Sequence, residues 1–387
     1  MHLDVTTSNI LITDANYKHS LGILRSLGKK GIKAHVLSKQ KKSLCSYSTF
    51  CKSELVFDGD LSSSAFIDYV KSFKITQIIP VGVNSFRAML KLKEHLKQAN
   101  IHCILPPDDA FQICTSKHQT SEIAQTLKIP TPQIWRLTNA SNLDHLQDQV
   151  SYPCVFKAEE ELGGSIVRYI QSPSQFKQVI NDTLSKHSNM SLSHFILQEY
   201  LEGDGYGFFA VYNQGACGNT FQHHRRRELP PSGGYSVAAE SVIEPKLLQY
   251  GKKILDSLNW HGVAMVEFKQ NKNGEFFLLE INPKFWGSLD IALEAGVNFP
   301  YELVKMANGQ DTPFSDEYRY PFKYFWPLNG DFDHLIQNPR SLLSIVKDIF
   351  NPNSHSNLWL FTDFRPTLRL WRLFIVSNFK KICRKIT

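Results

Sequence analysis

The feature that most constrains the fold is a predicted β-hairpin over residues 263–283. Two largely apolar runs, 263–269 and 276–283, flank the pair Asn273 and Gly274. Asn-Gly between apolar runs favours a two-residue type I′ turn, because both central residues of that turn need a positive φ. With the turn at these residues, Glu267 of the first strand is predicted to lie directly opposite Glu280 of the second.

This pairing brings two carboxylates together on an otherwise apolar hairpin. Directly opposite residues have Cβ atoms roughly 4.5–5.5 Å apart, and like charges at that distance destabilise a sheet. Asn282 lies two residues beyond Glu280 and therefore projects from the same face. Carboxylate and amide oxygens suit Mg²⁺, which also shares substrate phosphates. The hairpin therefore predicts a metal site at Glu267, Glu280 and Asn282, with two solvated glutamates on a half-exposed strand as the alternative.

The net charge of +7 is concentrated at the C-terminal end of the chain. Residues 364–387 contain seven Lys and Arg and no Asp or Glu, so the rest of the sequence is balanced. A global nucleic-acid-binding surface is therefore not expected. Seven cysteines without a Cys-x-x-Cys pair favour a reducing compartment over a disulfide framework or a zinc site. The N-terminus has no signal-peptide pattern, so we expect a cytoplasmic protein.

The pattern of apolar residues changes along the chain. Up to the pair Pro106-Pro107 it predicts alternating strands and helices, typical of a parallel sheet: strands at 8–14, 32–37 and 75–80, and helices at 20–30 and 85–98. Helices are predicted at 108–114 and 117–127. From residue 151 the pattern indicates antiparallel strands at 154–158, 166–170, 195–201 and 207–212, followed by the hairpin. We therefore expect an α/β domain followed by an α+β domain.

Further segments are candidates for anion binding. Lys157 ends a short apolar strand, and the loop 161–165 after it contains two adjacent glycines, whose backbone N–H groups can approach a phosphate. A tight turn with a lysine stem along apolar surface is the alternative. Arg225 and Arg227 precede a second glycine pair at 233–234, and arginine binds carboxylate or phosphate through two parallel hydrogen bonds. A solvated basic loop is the alternative there.

Read in order, these segments resemble the ATP-grasp superfamily from about Leu11 to Gly309. The sequence is most similar to its carbamoyl-phosphate-synthase-like and predicted carboligase members, through Glu-Ile-Asn-Pro-x-Phe-Trp-Gly-Ser-Leu at 280–289 and Arg-Glu-x-Pro-Pro-Ser-Gly-Gly at 227–234. The resemblance implies an α/β plus α+β architecture. Its expected parts are a Rossmann-like pre-ATP-grasp domain at 1–106, a two-subdomain ATP-grasp domain at 107–310 with a lid at about 130–203, and a C-terminal extension at 311–387.

The resemblance also implies roles for individual residues toward ATP and Mg²⁺ or Mn²⁺. The implied phosphate-binding residues are Lys117, Lys157, Gly163, Gly164 and Ser165. The implied nucleoside-binding residues are Glu199, Tyr200 and Leu201, with Glu202 or Asp204 on the ribose. The implied metal ligands are Glu267, Glu280 and Asn282, and the implied catalytic residues are Arg225, Arg227 and Lys284. Relatives usually carry arginine where this chain has Lys284. Lysine keeps the positive charge but lacks the guanidinium group that binds an anion through two hydrogen bonds.

The activity that the resemblance implies is an ATP- and Mg²⁺-dependent ligation. A carboxylate is activated as an acyl phosphate and attacked by an amine or similar nucleophile, giving ADP and phosphate. The expected partners are a small-molecule carboxylate and amine, with no nucleic acid. The alternatives are a nucleotide-binding pseudoenzyme, a membrane-associated scaffold, and a carboxylase or carbamoyl-phosphate-type activity that uses bicarbonate.

The C-terminal tail, residues 366–387, lies outside this resemblance. A helix over 367–386 would place one apolar face opposite most of its Lys and Arg; that face comprises Leu368, Trp371, Ile375, Phe379, Ile382 and Ile386. Such a helix either contacts an anionic membrane surface peripherally, at the inner membrane, or packs on the protein itself. Charges interrupt its apolar runs too often for a membrane span.

Overall fold

The computed structural model describes residues 8–138, 141–160, 166–357 and 361–386. Its N-terminal part alternates strands and helices: β1 (Ile10–Ile12), α1 (Lys18–Gly28), β2 (Ala34–Ser38), β3 (Cys51–Val56), α2 (Ser64–Ser72), β4 (Gln77–Ile79), α3 (Val83–Lys91) and α4 (Lys93–Gln98). In the described part of the chain these strands form a parallel four-stranded sheet in the order β3-β2-β1-β4. The predicted parallel sheet is confirmed.

Two of these elements were not predicted from the sequence. β3 reads Cys-Lys-Ser-Glu-Leu-Val and is a half-exposed edge strand, so it lacks the continuous apolar run of the buried strands. α2 follows it, in a segment where the apolar pattern predicts neither a strand nor a helix. The prediction of a single helix over 85–98 is also wrong, because the structure has two helices there, α3 and α4, separated at Leu92.

A small antiparallel sheet follows the helices α5 (Asp108–Thr115) and α6 (Lys117–Thr126). Its elements are β5 (Ile134–Arg136), α7 (Ser141–Gln149), β6 (Cys154–Ala158), β7 (Val167–Ile170), α8 (Phe176–Lys186) and β8 (Phe195–Glu199), and the strand order is β5-β8-β6-β7. Phe156, Phe176 and Leu197 belong to a hydrophobic cluster formed within this region. The small sheet therefore has a core of its own.

A larger sheet carries the hairpin. Its elements are β9 (Asp204–Asn213), β10 (Ala216–Leu229), β11 (Tyr235–Ser241), α9 (Pro245–Ser257), β12 (Gly262–Gln270), β13 (Phe276–Asn282), α10 (Leu289–Ala295), α11 (Phe299–Ala307), β14 (Lys323–Phe325), α12 (Asp331–Gln337), α13 (Leu342–Phe350) and β15 (Ser354–Ser356). Over the described residues the order is β13-β12-β9-β10-β11-β14-β15. β14 and β15 come from the predicted C-terminal extension and continue the same sheet; the three-domain division stays a prediction.

The large sheet and the N-terminal sheet share one hydrophobic core. Ile10 of β1 and Leu24 of α1 belong to one cluster of buried side chains. The same cluster includes Phe209 of β9 and Trp286, which follows β13. Trp286 packs against Phe209 with ring centroids 4.5 Å apart. The hairpin is therefore fixed to a continuous apolar body, because burial of large aromatic side chains dominates core energetics.

The hairpin turn differs from its prediction. Gly274 has a φ of 83°, whereas Asn273 is not among the residues with a positive φ, so the two-residue type I′ turn is wrong. The N–H of Asn271 donates to the carbonyl of Glu275 at 3.0 Å, which closes a three-residue loop. Asn271 Oδ1 also accepts from the N–H groups of Asn273 and Glu275, both at 2.9 Å. Local Asn hydrogen bonds of this kind compete with the predicted turn.

The register of the two glutamates is nevertheless as predicted. Next to the turn the pairing is shifted by one residue, with Phe268 opposite Leu278. A β-bulge at Leu279 then inserts one unpaired residue and shifts the register back. Glu267 therefore lies opposite Glu280 through two compensating shifts, the longer turn and the bulge.

The chain ends in helix α14 (Arg365–Ile386), in agreement with the predicted tail helix. Asp363, just before it, is buried and forms an ion pair with Arg25 of α1 at 2.8 Å, and it also accepts from Ser48 Oγ at 2.9 Å. This contact attaches the start of α14 to the N-terminal sheet. Every helix in the described ranges is too short or too polar to cross a lipid bilayer.

Candidate active site

Three polar side chains converge on one face of the hairpin. Glu267 lies directly opposite Glu280, and the amide Nδ2 of Asn282 donates to Glu267 Oε1 at 3.0 Å and to Glu280 Oε1 at 3.2 Å. Leu278 and Ile281 point into the core beneath the sheet, so the bulge between them leaves Glu280 on the opposite face. The predicted convergence of the two carboxylates and the amide is confirmed.

Each carboxylate of the pair has a close cation. Lys117 Nζ, at the start of α6, lies 3.5 Å from Glu280 Oε2. Arg225 Nη2, on β10, lies 2.5 Å from Glu267 Oε2, and the Arg225 side chain is only 10% exposed. Opposite charges therefore connect the hairpin to helix α6 and, across β9, to strand β10 of the same sheet.

Two further lysines complete the charged cluster. Lys157 on β6 is 7% exposed, and burial together with the neighbouring charge of Lys117 lowers its pKa to about 8, although Glu280 and Glu267 act to raise it. Lys284 Nζ, just after β13, lies 3.3 Å from Asn282 Oδ1. Cations and carboxylates thus lie side by side, as binding of a phosphate together with a divalent cation requires.

The surroundings push the pKa values of the two glutamates apart. Burial acts to raise the pKa of Glu280, but Lys117 and Lys157 outweigh it and hold that pKa at about 2. Burial raises the pKa of Glu267 above its ordinary value, with Arg225 opposing and the Glu280 charge adding to the rise. The pKa values of two facing carboxyl groups often differ in this way, because like charges at short distance disfavour ionisation of both groups. A bound cation would relieve the repulsion.

The cluster opens into a cavity of about 680 Å³ between the small sheet and the large sheet. Lys157 and Gln198 line it from the small sheet, and Arg225, Glu267 and Glu280 line it from the large sheet. Gln198 Nε2 is buried and has no hydrogen-bond partner among the residues that the structure describes. A buried unpaired donor costs free energy, which a polar ligand in the cavity would recover.

Solved structures of similar fold are known. A biotin carboxylase β-γ-ATP complex from Campylobacter jejuni is 16% identical, with a TM-score of 0.68 over 81% of this chain and 74% of that one. An L-amino acid ligase from Bacillus licheniformis is 14% identical, with a TM-score of 0.64 over 82% of this chain and 80% of that one. Residues 191–326 match the family described as "ATP-grasp in the biosynthetic pathway with Ter operon". The chain has the ATP-grasp fold.

A curated relative extends the similarity at the level of sequence. Biotin carboxylase from Nostoc sp. is 23% identical over 235 residues, which are 57% of this chain and 52% of that protein. The chain therefore spans about half the length of this relative. The resemblance to ATP-grasp proteins expected from the sequence is confirmed, and so is the α/β plus α+β architecture that it implied.

The metal ligands predicted from the sequence are two carboxylates and an amide. Among the described residues, no group of three or more His, Cys, Asp and Glu side chains is arranged to hold a metal ion. The predicted ligand set of Glu267, Glu280 and Asn282 is compatible with this observation, since its third member is an amide. Such a set needs further oxygen ligands, which substrate phosphates and water supply to Mg²⁺.

The segment after β8 lies partly at the cavity. Glu199 and Leu201 line it, and Glu199 Oε2 also accepts from the N–H of Gln133 at 3.1 Å. Tyr200, Glu202 and Asp204 are not among the lining residues. Glu202 forms an exposed ion pair with Lys272 at 2.7 Å, and Asp204 Oδ2 lies 3.7 Å from His224 Nε2. The cavity geometry therefore gives no support to a ribose contact by either acid.

Arg227 lies away from the cavity, which corrects its prediction as a catalytic residue. Its guanidinium donates to both carboxylate oxygens of Asp331 on α12, at 2.7 and 2.8 Å, and to Asp348 of α13. A register shift in β10 between Arg225 and Arg227 inserts one residue, so the two arginines leave the strand on opposite faces. In an unbroken strand, residues two apart share a face, which is why the sequence predicted both at the site.

The glycine loop predicted to cover the phosphates lies outside the described residues. Gly163, Gly164 and Ser165 all belong to this segment, 161–165. The flanking residues Glu160 and Ile166 line the cavity. The phosphate-binding role of the loop stays a prediction.

Some residues at the cavity were not predicted from the sequence. Lys269, Arg168 and Glu228 line it, and Glu228 Oε1 accepts from Arg225 Nη1 at 3.2 Å. Lys269 was detectable, because it lies two residues beyond Glu267 on a strand without a bulge at that point and so shares its face. Glu228 could not be predicted from the sequence, since the face on which its side chain lies depends on the irregular register of β10.

Proposed function

We propose that this protein is an ATP- and Mg²⁺-dependent ligase that activates a carboxylate as an acyl phosphate for attack by an amine or similar nucleophile. The observation that carries the proposal is the facing pair Glu267 and Glu280, bridged by Asn282 and flanked by Lys117 and Arg225. Two carboxylates forced together at the mouth of a cavity are costly without a cation to bind.

The donor set fits Mg²⁺. Glu267, Glu280 and Asn282 offer hard oxygen atoms from adjacent strands, and the pKa of Glu280 near 2 keeps its carboxylate ionised at neutral pH. When bound, the metal ion would neutralise charge on the phosphates of the nucleotide. Mn²⁺ has similar ligand preferences and is proposed as a substitute.

The lysines supply the remaining positive charge. Lys157 is buried in the wall of the small sheet, and Lys117 reaches the same cluster from α6. We place both on the phosphates, with Glu199 and Leu201 toward the adenine, where the backbone at the end of β8 borders the cavity. Charge-assisted hydrogen bonds to phosphate are about twice as strong as neutral ones.

Arg225 and Lys284 are placed at the reacting carboxylate. In the first step a carboxylate oxygen bonds to the γ-phosphorus and ADP leaves; in the second the nucleophile bonds to the acyl carbon and phosphate leaves. The chain contributes position and charge, because phosphoryl transfer needs little covalent participation from the protein. The ammonium group of Lys284 lies 3.3 Å from Asn282 Oδ1. This contact connects a residue that we place at the reacting carboxylate with one of the proposed metal ligands.

The test is release of phosphate and ADP from MgATP across paired carboxylates and amines, with bicarbonate as one of the acids. We expect release that requires a single acid and nucleophile together, and that the double variant Glu267→Gln/Glu280→Gln abolishes. The matched control is Glu275→Gln, which alters an exposed glutamate at the turn of the same hairpin.

The outcomes separate the alternatives. Release that depends on bicarbonate would identify a carboxylase or carbamoyl-phosphate-type activity, as the similarity to biotin carboxylases suggests. Binding of MgATP without turnover on any pair would favour the nucleotide-binding pseudoenzyme. Absence of ATP binding in the presence of Mg²⁺ would refute the proposal.

We also propose that the basic tail, residues 366–387, contacts a membrane surface peripherally. Leu368 and Ile375 of the predicted apolar face are 58% and 61% exposed, so the described part of the protein leaves these two side chains largely uncovered. Co-sedimentation of the full chain with vesicles tests the contact. We expect binding to vesicles that contain phosphatidylserine and little binding to pure phosphatidylcholine, since basic residues are attracted to anionic lipid.

A further inference from the structure

Helix α13 carries its apolar face outward. Leu343 is 73% exposed and Phe350 is 81% exposed, whereas Ile345 is 2% exposed. The remaining exposed apolar residues of the helix are Leu342, Val346 and Ile349. These positions repeat at intervals of three and four residues, so they form one stripe along the helix. An amphipathic helix normally turns such a stripe toward the core, and α13 turns it toward solvent.

A buried ion pair fixes this orientation. Asp348 of α13 is buried and accepts from Arg227 Nη1, and Ser344 Oγ, one turn earlier, accepts from the same nitrogen at 3.0 Å. Arg227 also binds Asp331 at the start of α12, through two hydrogen bonds. Breaking a buried pair of this kind is strongly unfavourable. The helix is therefore not free to rotate its apolar stripe inward.

Exposed apolar side chains are also concentrated in the segments on either side of α13. In the described part of the chain, twelve of the eighteen exposed large apolar side chains lie between residues 336 and 376. Ile336 on α12 is 66% exposed, and α14 is held beside α12 by Phe374 and Phe332, whose ring centroids are 5.7 Å apart. An exposed apolar concentration of this kind marks an interaction surface.

Charge identifies the kind of partner. The segment 364–387, which includes α14, contains seven Lys and Arg and no acidic residue. Two copies of the chain meeting through this region would bring like charges together, which opposes a second copy as the occupant. An anionic lipid surface attracts the basic residues and accepts the apolar ones.

We infer that α13 is an insertion helix, whose outward stripe enters the headgroup and acyl boundary of an anionic membrane. The inference rests on the proposed peripheral contact of the tail and adds a second helix to it, one that ends at Phe350, before the tail begins at Pro366. Lys347 is exposed on the same helix, where a long basic side chain reaches the headgroups while its neighbours enter the apolar layer. The active site would then lie on a protein held at the lipid surface.

The test uses the full-length protein and vesicles of phosphatidylcholine with and without phosphatidylserine. The variant Leu343→Asp/Phe350→Asp places charges on the stripe, and the control Ile243→Asp/Phe314→Asp places them on exposed apolar residues elsewhere. We expect the stripe variant to lose about tenfold or more in vesicle affinity, because each large apolar side chain contributes substantially when buried. The control variant should bind as the wild type does.

Further measurements separate the possible failures. Thermal unfolding and MgATP binding should be unchanged in the stripe variant, since both substituted residues are exposed. A wild type that ignores phosphatidylserine would refute the tail contact itself. A wild type that needs phosphatidylserine, together with a stripe variant of equal affinity, would refute only the insertion helix. A stable wild-type dimer that the stripe variant converts to monomers would assign the face to a second copy and overturn the inference.

Discussion

Lys117 Nζ lies 3.5 Å from Glu280 Oε2 and connects the first turn of α6 to the face of β13 that carries Glu280 and Asn282. The lysine is therefore positioned by the carboxylate before any ligand arrives. Preorganised charges of this kind are worth more than mobile ones, because no reorganisation is needed when the ligand binds. The contact also keeps Glu280 ionised, since Lys117 is the strongest of the charges that lower its pKa.

The variant Lys117→Met should weaken MgATP binding by about 10- to 100-fold, the loss expected for a hydrogen bond to a charged group. Isothermal titration with a non-hydrolysable ATP analogue measures the change. Lys93→Met is the control, because Lys93 is half exposed and its pairing with Asp108, at 3.8 Å, is a surface contact. Equal affinity in the wild type and Lys117→Met would contradict the phosphate role.

Lys157 predicts a pH dependence of stability. Its pKa is about 8 in the folded protein and 10.5 in an ordinary environment, so below pH 8 the folded state carries a penalised charge. As the pH rises from 8 toward 10.5, the folded lysine is neutral while the unfolded one still binds a proton, and stability increases. Lys157→Met should therefore be more stable than the wild type at pH 7, with an advantage that shrinks by about 1.4 kcal/mol per pH unit above 8.

Urea unfolding of the wild type and Lys157→Met at pH 7, 8 and 9.5 measures this difference. The contribution of the buried ammonium of Lys18, whose pKa is also lowered to about 8, is the same in both proteins and cancels. A constant difference across the series would show that Lys157 has an ordinary pKa. Saturating MgATP should diminish the trend, because bound phosphate stabilises the charged lysine.

Substitution of Arg225 should affect phosphate release, whereas substitution of Arg227 should affect the free energy of unfolding. Arg227→Met leaves Asp331 and Asp348 as unpaired buried charges, so we expect a loss of about 3–5 kcal/mol in the free energy of unfolding. The affinity for MgATP of the folded fraction should be unchanged. Arg225→Met should instead abolish phosphate release, since Arg225 lines the cavity beside Glu267. Chemical denaturation and phosphate release distinguish the two variants, and a catalytic defect confined to Arg227→Met would reverse the assignment.

Asn282→Asp should make the site dependent on metal. A third carboxylate would replace the amide that donates to Glu267 at 3.0 Å and to Glu280 at 3.2 Å, so repulsion should lower Tm in the presence of chelator. Mg²⁺ alone should then raise Tm more in the variant than in the wild type, through preferential binding to the folded state. Thermal unfolding with EDTA and with Mg²⁺ tests this, and an equal response of both proteins would argue against the metal site.

The site was predictable where its geometry depends on the period of a strand. The two-residue repeat was enough to bring Glu267, Glu280 and Asn282 to one face. The turn was predicted wrongly, and the pairing was still right only because the bulge at Leu279 offset the longer loop. Bulges have no reliable sequence signature in a single chain, and the same difficulty misplaced Arg227.

The N-terminal sheet shows a similar limit. Buried strands such as β1 are continuous apolar runs and were recognised, whereas the edge strand β3 is half polar and was missed. The outward orientation of the apolar stripe of α13 could not be predicted from the sequence for another reason. Its orientation is set by Arg227, more than a hundred residues earlier in the chain, and local periodicity says nothing about which way an amphipathic helix faces.

The core shared by the N-terminal sheet and the large sheet has a consequence for how the chain can be divided. Ile10 and Leu24 are buried together with Phe209 and Trp286, so a fragment ending near Pro106 would expose the apolar surface that those aromatics cover. Such a fragment should aggregate on expression, because the exposed patch would have no replacement partner. The two sheets are therefore expected to fold as one cooperative unit, and truncation between them is a poor route to a crystallisable or soluble piece.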